Sequence, residues 1–207
     1  MSGTPLLQDG TPGETSVQCL LRAQDVLGVA DPFESLRRED NQQSLAYEPL
    51  LEDAVKAAED PLAMAVKFAA VGNELQVWTE RSSLPALLAK AQSVKLAVSS
   101  LNDLREDLDK GGRVLYILNN SGELVFDKIL LSAMAVKCQV TALVGTKRVL
   151  NRATCEDVEA AGISKVCSVV SMGELAGTRL SLQPANFRQL YLESDVVVAK
   201  GQSNYGS

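Results

Sequence analysis

Four short segments concentrate the amide, hydroxyl, glycine and cationic groups that can hold an anion. They are Asn119-Asn120-Ser121-Gly122-Glu123, Gly145 to Thr154, Ser171 to Thr178, and Lys200 to Tyr205. Each follows an apolar run of strand length, and in open α/β sheets ligands bind beyond the carboxyl ends of the strands. Free backbone N–H groups at helix starts, short polar side chains and one lysine are the ingredients of a phosphate cradle. Asn120 and Asn204 stand out, because neutral amides at strand tips have little structural reason to occur in both loops. The same residue types also fill ordinary turns, so composition leaves anion binding and plain turn chemistry both open.

Other chemistries are excluded. The chain has no histidine, which removes Ser-His-Asp and Cys-His catalysis, His-ligated zinc or haem, and imidazole acid–base work. Cys19, Cys138, Cys155 and Cys167 form no CxxC pair, so neither a zinc knuckle nor a thioredoxin-like redox pair is expected. They read as small buried hydrophobes in a reducing compartment. With 20 Lys and Arg against 26 Asp and Glu, the formal net charge is −6 and no basic stripe occurs. Nucleic acid and anionic membranes are therefore not expected partners. Aromatic residues at 4% argue against a stacking platform for single strands. There is neither a signal-like start nor a run of about 18 apolar residues, so a cytoplasmic protein is expected.

The elements that must position these segments follow from length and patterning. The 207 residues, 46% hydrophobic and 22% charged, suit one α/β domain with a helical extension. Residues 1–16 are rich in Gly, Pro, Ser and Thr and predict a flexible lead-in. Residues 17–80 read as a helical subdomain. Within it, Asp31-Pro32 and Asp60-Pro61 each place an N-capping carboxylate before a proline at the first helical position. The helix after Pro61 carries Leu62, Ala65, Val66 and Ala69 on one face, with Gly72 as its stop.

Residues 81–207 read as an α/β core carrying the site. Arg113–Leu118, Cys138–Val144, Lys165–Val170 and Asp195–Ala199 have strand character, and Val94–Val98 is a further short candidate. Helices are predicted over Leu124–Val136, Cys155–Ala161 and Asn186–Glu193; Thr154 caps the second, with Asp157 three residues on and Gly162 at its end. Strands buried on both faces and separated by helices imply a three-layer, Rossmann-like, mostly parallel sheet flanked by helices. Only Lys200 to Ser207 follow the last strand. That predicts a shortened core, an uncovered strand edge and self-association.

Five stretches make the sequence recognisable. EDPLAMAVKFAAVGNELQVW, YILNNSGELVFDKILL, VLNRATCEDVEAAGI, SMGELAGTRL and SDVVVAKGQSNYGS resemble, in this order, the metal-dependent damage-control phosphatase family. This is the ARMT1-like domain, and the stand-alone archaeal and bacterial branch matches best. The resemblance implies a helical N-terminal part on an α/β core. It also implies hydrolysis of phosphomonoesters of small, often damaged, metabolites with a divalent cation such as Mg²⁺, Mn²⁺, Co²⁺ or Ni²⁺.

In the family pattern the first strand ends in Asp-Asn-x-Gly-Glu, whose Asp and Asn hold the metal; here they match Asn119 and Asn120, with Glu123 a catalytic candidate. The next family ligand, the aspartate of Asn-Asp-Ala-Thr, is Arg152 in Asn151-Arg152-Ala153-Thr154. The family's Lys-Gly-Gln-Gly-Asn-Tyr-Glu is Lys200 to Gly206 here, without the glutamate. Lys200 matches a phosphate-contacting lysine, Asn73 a pocket-lining position, and Asn204 a substrate-side amide.

Asp→Asn at 119 removes one negative charge and Asp→Arg at 152 changes two, so the site is three units more positive than the family pattern. A hard divalent cation prefers charged oxygens, and a unit-charge pair at ~4 Å contributes roughly 4 kcal/mol at an effective dielectric near 20. Weakened metal affinity and impaired hydrolysis are the expectation. The alternative is an inactive relative that binds a phosphorylated ligand or a partner protein. Arg152 then either offers a bidentate guanidinium to phosphate or pairs with Glu156 four residues on as a surface cation. Glu123 also reads as a first-turn acid complementing the helix dipole, and Asp127 as structural.

Overall fold

The run Val114 to Leu118 is buried at every position, as a strand covered on both faces requires. It forms the body of β1 (Arg113–Ile117). With β2 (Gln139–Val144), β3 (Ser168–Ser171) and β4 (Val196–Ala199), it builds a parallel sheet of order β3-β2-β1-β4. The computed structural model describes residues 12–74, 84–95, 100–171, 183–201 and 204. Tyr116 of β1 stands opposite Ala142 of β2 on one side and Val198 of β4 on the other. The chain thus builds outward from β1 to β3, then returns to add β4 on the far side. That reversal makes the gap between the β1 and β4 tips a topological switch point, where α/β folds bind ligands.

The helices are α1 (Pro12–Leu27), α2 (Glu34–Leu45), α3 (Glu48–Ala57), α4 (Pro61–Gly72), α5 (Leu84–Ser93), α6 (Leu101–Asp109), α7 (Leu124–Ala135), α8 (Cys155–Ala160) and α9 (Ala185–Glu193). Strand alternation divides the core. Leu115, Ile117 and Leu143 pack with Phe187 of α9 on one face of the sheet. Val114, Tyr116 and Leu118 face the other cluster, which holds Phe126 and Leu130 of α7, Val158 of α8, and Ala65 and Phe68 of α4. The architecture is therefore α/β, a parallel sheet between helical layers.

Local signals explain the boundaries, with exceptions. Asp60 caps α4 by accepting from the Ala63 N–H at 3.1 Å, and the Thr154–Asp157 box caps α8. Gly162 takes the left-handed conformation after α8 with φ 70. Asp31, expected to cap a helix, does not. α2 begins three residues later at Glu34, and Asp31 instead grips the Arg37 guanidinium at 2.9 and 2.6 Å.

Gly72 is a close-approach residue rather than a left-handed stop, since a Cβ there would lie 2.8 Å from the Phe126 Cβ. Its α4 faces α7 closely for that reason. Helix α1 starts at Pro12, inside the Gly- and Pro-rich opening. The cysteines are not core residues: Cys19 and Cys155 are exposed, and Cys138 and Cys167 half-buried. The strand expected at 94–98 falls largely on residues outside those described. Among the described residues, no helix is long and apolar enough to cross a membrane.

Candidate functional site

Beyond β1 the chain turns away from the sheet through Asn119 and Asn120 into a single 3₁₀ turn, Ser121–Glu123, that feeds α7. Glu123 folds back over this turn. Its Oε1 accepts from the Asn120 backbone N–H at 3.0 Å and from Asn119 Nδ2 at 3.0 Å. Asn119 Nδ2 also donates to Asn73 Oδ1 at the end of α4, at 3.3 Å. Gly201, just past β4, has φ 92, and a Cβ there would fall 2.4 Å from Asn119 Nδ2 and 3.1 Å from Asn73 Oδ1. Both its conformation and its space admit only glycine. Asn204 Nδ2 donates to the Lys200 carbonyl at 2.8 Å and closes this turn.

Lys200, expected to contact phosphate directly, is engaged internally. Its ammonium sits against Glu123 Oε2, lies 2.6 Å from Asp127 Oδ1 and donates to the Ala69 carbonyl at 3.2 Å. An ammonium has three N–H donors, and here three acceptors meet it. Tyr116 donates its phenolic O–H to the same Asp127 Oδ1 at 2.7 Å. Burial is what makes this cluster necessary, since buried charges require partners.

The titration behaviour follows from the same contacts. Burial pushes the Asp127 carboxyl up to about 6, with Lys200 pulling it down and Glu123 pushing it up. Burial disfavours the Lys200 ammonium, but the attraction of Asp127 and Glu123 outweighs it and leaves Lys200 above the ordinary lysine value. Burial, with Asp127 beside it, holds the Tyr116 phenol well above its usual range. Asp127 was legible only as structural. The missed signal is a lone carboxylate inside the apolar run Leu124-Val125-Phe126-Asp127-Lys128-Ile129, four residues after Glu123 and so on the same helix face.

The loop after β2 lies alongside this turn. The Ser121 N–H donates to the Asn151 carbonyl at 2.9 Å and the Ala153 N–H to the Asn119 carbonyl at 3.0 Å, framing an antiparallel bridge between Asn120 and Arg152. Just before it, Leu150 holds a left-handed φ of 52, a conformation that costs an L-residue about 1–2 kcal/mol. The half-buried Arg152 guanidinium makes no hydrogen bond or ion pair with the described residues. Burial lowers its pKa, against the pull of Glu123. The surface pairing with Glu156 does not form, because Glu156 Oε1 accepts from Arg148 Nη2 at 2.7 Å. Contacts thus link Asn73, Asn119, Asn120, Glu123, Arg152, Lys200 and Asn204 into one locale. The third polar loop, from Met172 to Thr178, lies outside the described residues.

A divalent cation does not fit this donor set as arranged. Among the described residues, no three His, Cys, Asp or Glu side chains converge. The two nearby carboxylates already meet the Lys200 ammonium, two N–H groups and a phenol. What remains is one carboxylate oxygen, Asp127 Oδ2, with the Ser121 hydroxyl and amide oxygens, too little negative charge for a hard cation, beside a guanidinium that repels it. The same arrangement suits an anion, which a guanidinium can take in bidentate fashion.

The family model of the damage-control phosphatase ARMT1-like domain matches residues 8–207. A damage-control phosphatase of Archaeoglobus fulgidus is 27% identical over 192 residues, 89% of this chain and 66% of that protein. The Pyrococcus horikoshii damage-control phosphatase PH1575 is 28% identical over 86% of this chain and 63% of its own length. The chain thus spans just under two thirds of these relatives. The crystal structure of PH1575, described as a DUF89 family protein, superposes with a TM-score of 0.83 at 25% identity, covering 97% of this chain and 71% of that one. With the match running over nearly its whole length, the chain belongs to the damage-control phosphatase ARMT1-like domain family.

Proposed function

We propose that the polar turns at the β1 and β4 tips, with the loop after β2, bind the phosphoryl group of a small phosphorylated metabolite, and that hydrolysis is impaired in this chain. Relatives named phosphatases supply the class of ligand. The observation that carries the reading is the half-buried Arg152, whose guanidinium has no hydrogen-bond or ion-pair partner among the described residues and whose backbone bridges Asn120 just beyond β1, beside carboxylates that Lys200 already occupies. Arg152 takes phosphate oxygens and the Asn120 amide orients them, while Asn119, whose amide N–H groups go to Glu123 and Asn73, holds the turn.

Hydrolysis also needs an activated water. The family implies a divalent cation for that purpose, but the amides and guanidinium here oppose it. Glu123, the candidate base, is tied by two N–H groups and an ammonium. Its role is to hold Asn119, Asn120 and Lys200 in place.

The four free cysteines fit a reducing, cytoplasmic setting. Self-association through the outer edge of β4, an end strand of the described sheet, belongs to the same reading; a monodisperse monomer in light scattering argues against it. The test of function is hydrolysis of p-nitrophenyl phosphate with Co²⁺ or Mn²⁺, by the unmodified chain and by the double variant Asn119→Asp, Arg152→Asp. Turnover by the double variant alone is expected. Metal-dependent turnover by the unmodified chain overturns the impairment.

A further inference from the structure

Helix α2 buries the wrong kind of face for simple packing. Arg37, Asp40, Asn41 and Ser44 recur at three- and four-residue spacing, share one side of the helix, and are all buried. A helix docked only for stability buries an apolar stripe. This polar stripe instead bonds the two loops that carry the site. Ser44 Oγ donates to the Gly122 carbonyl at 2.5 Å, and Asn41 Nδ2 to Asp157 Oδ1 at 2.6 Å.

Arg37 reaches furthest. Its Nε donates to Asp157 Oδ2 at 3.2 Å, its two terminal nitrogens clamp Asp31, and Nη1 also donates to the Leu150 carbonyl at 3.3 Å. Leu150 is the residue in the left-handed conformation, two positions before Arg152. The residues that follow it make the two backbone bonds framing the Asn120–Arg152 bridge.

We infer that Arg37 is a positioning residue for the ligand site. It holds Leu150 in its unfavoured turn and thereby fixes the backbone bridge that seats Arg152 beside Asn120. Arg37 acts through the Leu150 carbonyl and touches no ligand. The functional half of this inference rests on the phosphate reading above, whereas the geometric half stands without it. Planarity and fork geometry matter, because one guanidinium bonds Asp31, Asp157 and Leu150 at once and a lysine ammonium cannot span all three. The seam opens outward into a cleft of about 470 Å³ lined by Arg37, Asn41, Asp157 and Arg148. A lysine ammonium can therefore be hydrated there.

The test compares Arg37→Lys with Asn41→Ala, which breaks another bond of the same seam but none to Leu150. Two readouts are taken: amide hydrogen exchange at Ser121 and Ala153, and titration with inorganic phosphate. In Arg37→Lys, exchange at these two amides is expected to rise about tenfold or more relative to Tyr116 of β1, as loss of one charge-assisted bond implies. Phosphate binding is expected to weaken about fivefold or more.

Asn41→Ala should leave both readouts at the parent level whatever it does to the melting temperature. Unchanged exchange in Arg37→Lys, or the same change in Asn41→Ala, overturns the inference. If the parent chain itself binds no phosphate, the phosphate reading fails, and the exchange data alone decide the role of Arg37. Should Arg37→Lys not fold, Arg37→Gln takes its place in the same comparison.

Discussion

Replacing Lys200 by methionine leaves two carboxylates facing each other in a space closed to water. Lys200 exposes 11% of its side chain, Glu123 1% and Asp127 none. Removing one partner from a buried ion pair costs about 3–5 kcal/mol, because the surviving charge stays uncompensated. For a chain of this size that corresponds to a melting temperature lower by about 6–20 °C.

The pH dependence has a definite sign. Asp127 titrates at about 6 when folded, against its ordinary 3.8 when unfolded. Between those values the native chain holds a proton that the unfolded chain has lost, so native stability falls as pH rises through the window. A separation of that size is worth about 3 kcal/mol. Without Lys200 the downward pull on Asp127 disappears and its protonated range extends higher. The deficit of Lys200→Met relative to the parent should therefore shrink towards about pH 5 and grow above about pH 6. Urea unfolding of both proteins across this range measures it. A deficit under about 1 kcal/mol, the size of an exposed pair, or one that ignores pH, would refute the reasoning.

Other substitutions probe neighbouring contacts. Gly201→Ala puts a Cβ 2.4 Å from Asn119 Nδ2 at φ 92. It should lower stability by about 1–3 kcal/mol and shift the Asn119 side-chain amide resonances. Gly72→Ala drives a methyl into Phe126, with a Cβ–Cβ distance of 2.8 Å. Overpacking between α4 and α7 should lower the unfolding free energy by about 1–3 kcal/mol. Arg38→Ala removes a pair to Glu34 whose side chains are 80% and 54% exposed, and should change stability by less than about 0.5 kcal/mol in the same assay.

What could be read in advance and what could not divide along the range of the interactions. The apolar run at Val114 to Leu118, the Thr154–Asp157 box and the glycine at 162 act within a few residues, and each forms the element its chemistry implies. The polar ends of the strands are local features too, so the segments holding Asn119, Arg152 and Lys200 stood out. Strand order is not local. Nothing near Val196 says that β4 pairs with β1 rather than β3, and that pairing creates the switch point.

The partners of individual side chains are not local either. Lys200 reads as a ligand contact, and only the fold brings Glu123, Asp127 and the Ala69 carbonyl to it. Asp31 reads as a helix cap until Arg37 competes for both of its oxygens. Nothing local marks the polar stripe of α2, because its partners at Gly122, Leu150 and Asp157 lie 78, 113 and 120 residues away in sequence.

Crystals soaked in Mn²⁺ and phosphate, with anomalous scattering to locate any manganese, test the account most directly. Phosphate density between Asn120 and the Arg152 guanidinium, with no anomalous peak at Asn119 and Asn120, is the predicted result. A manganese ion bound to those two amides would contradict it.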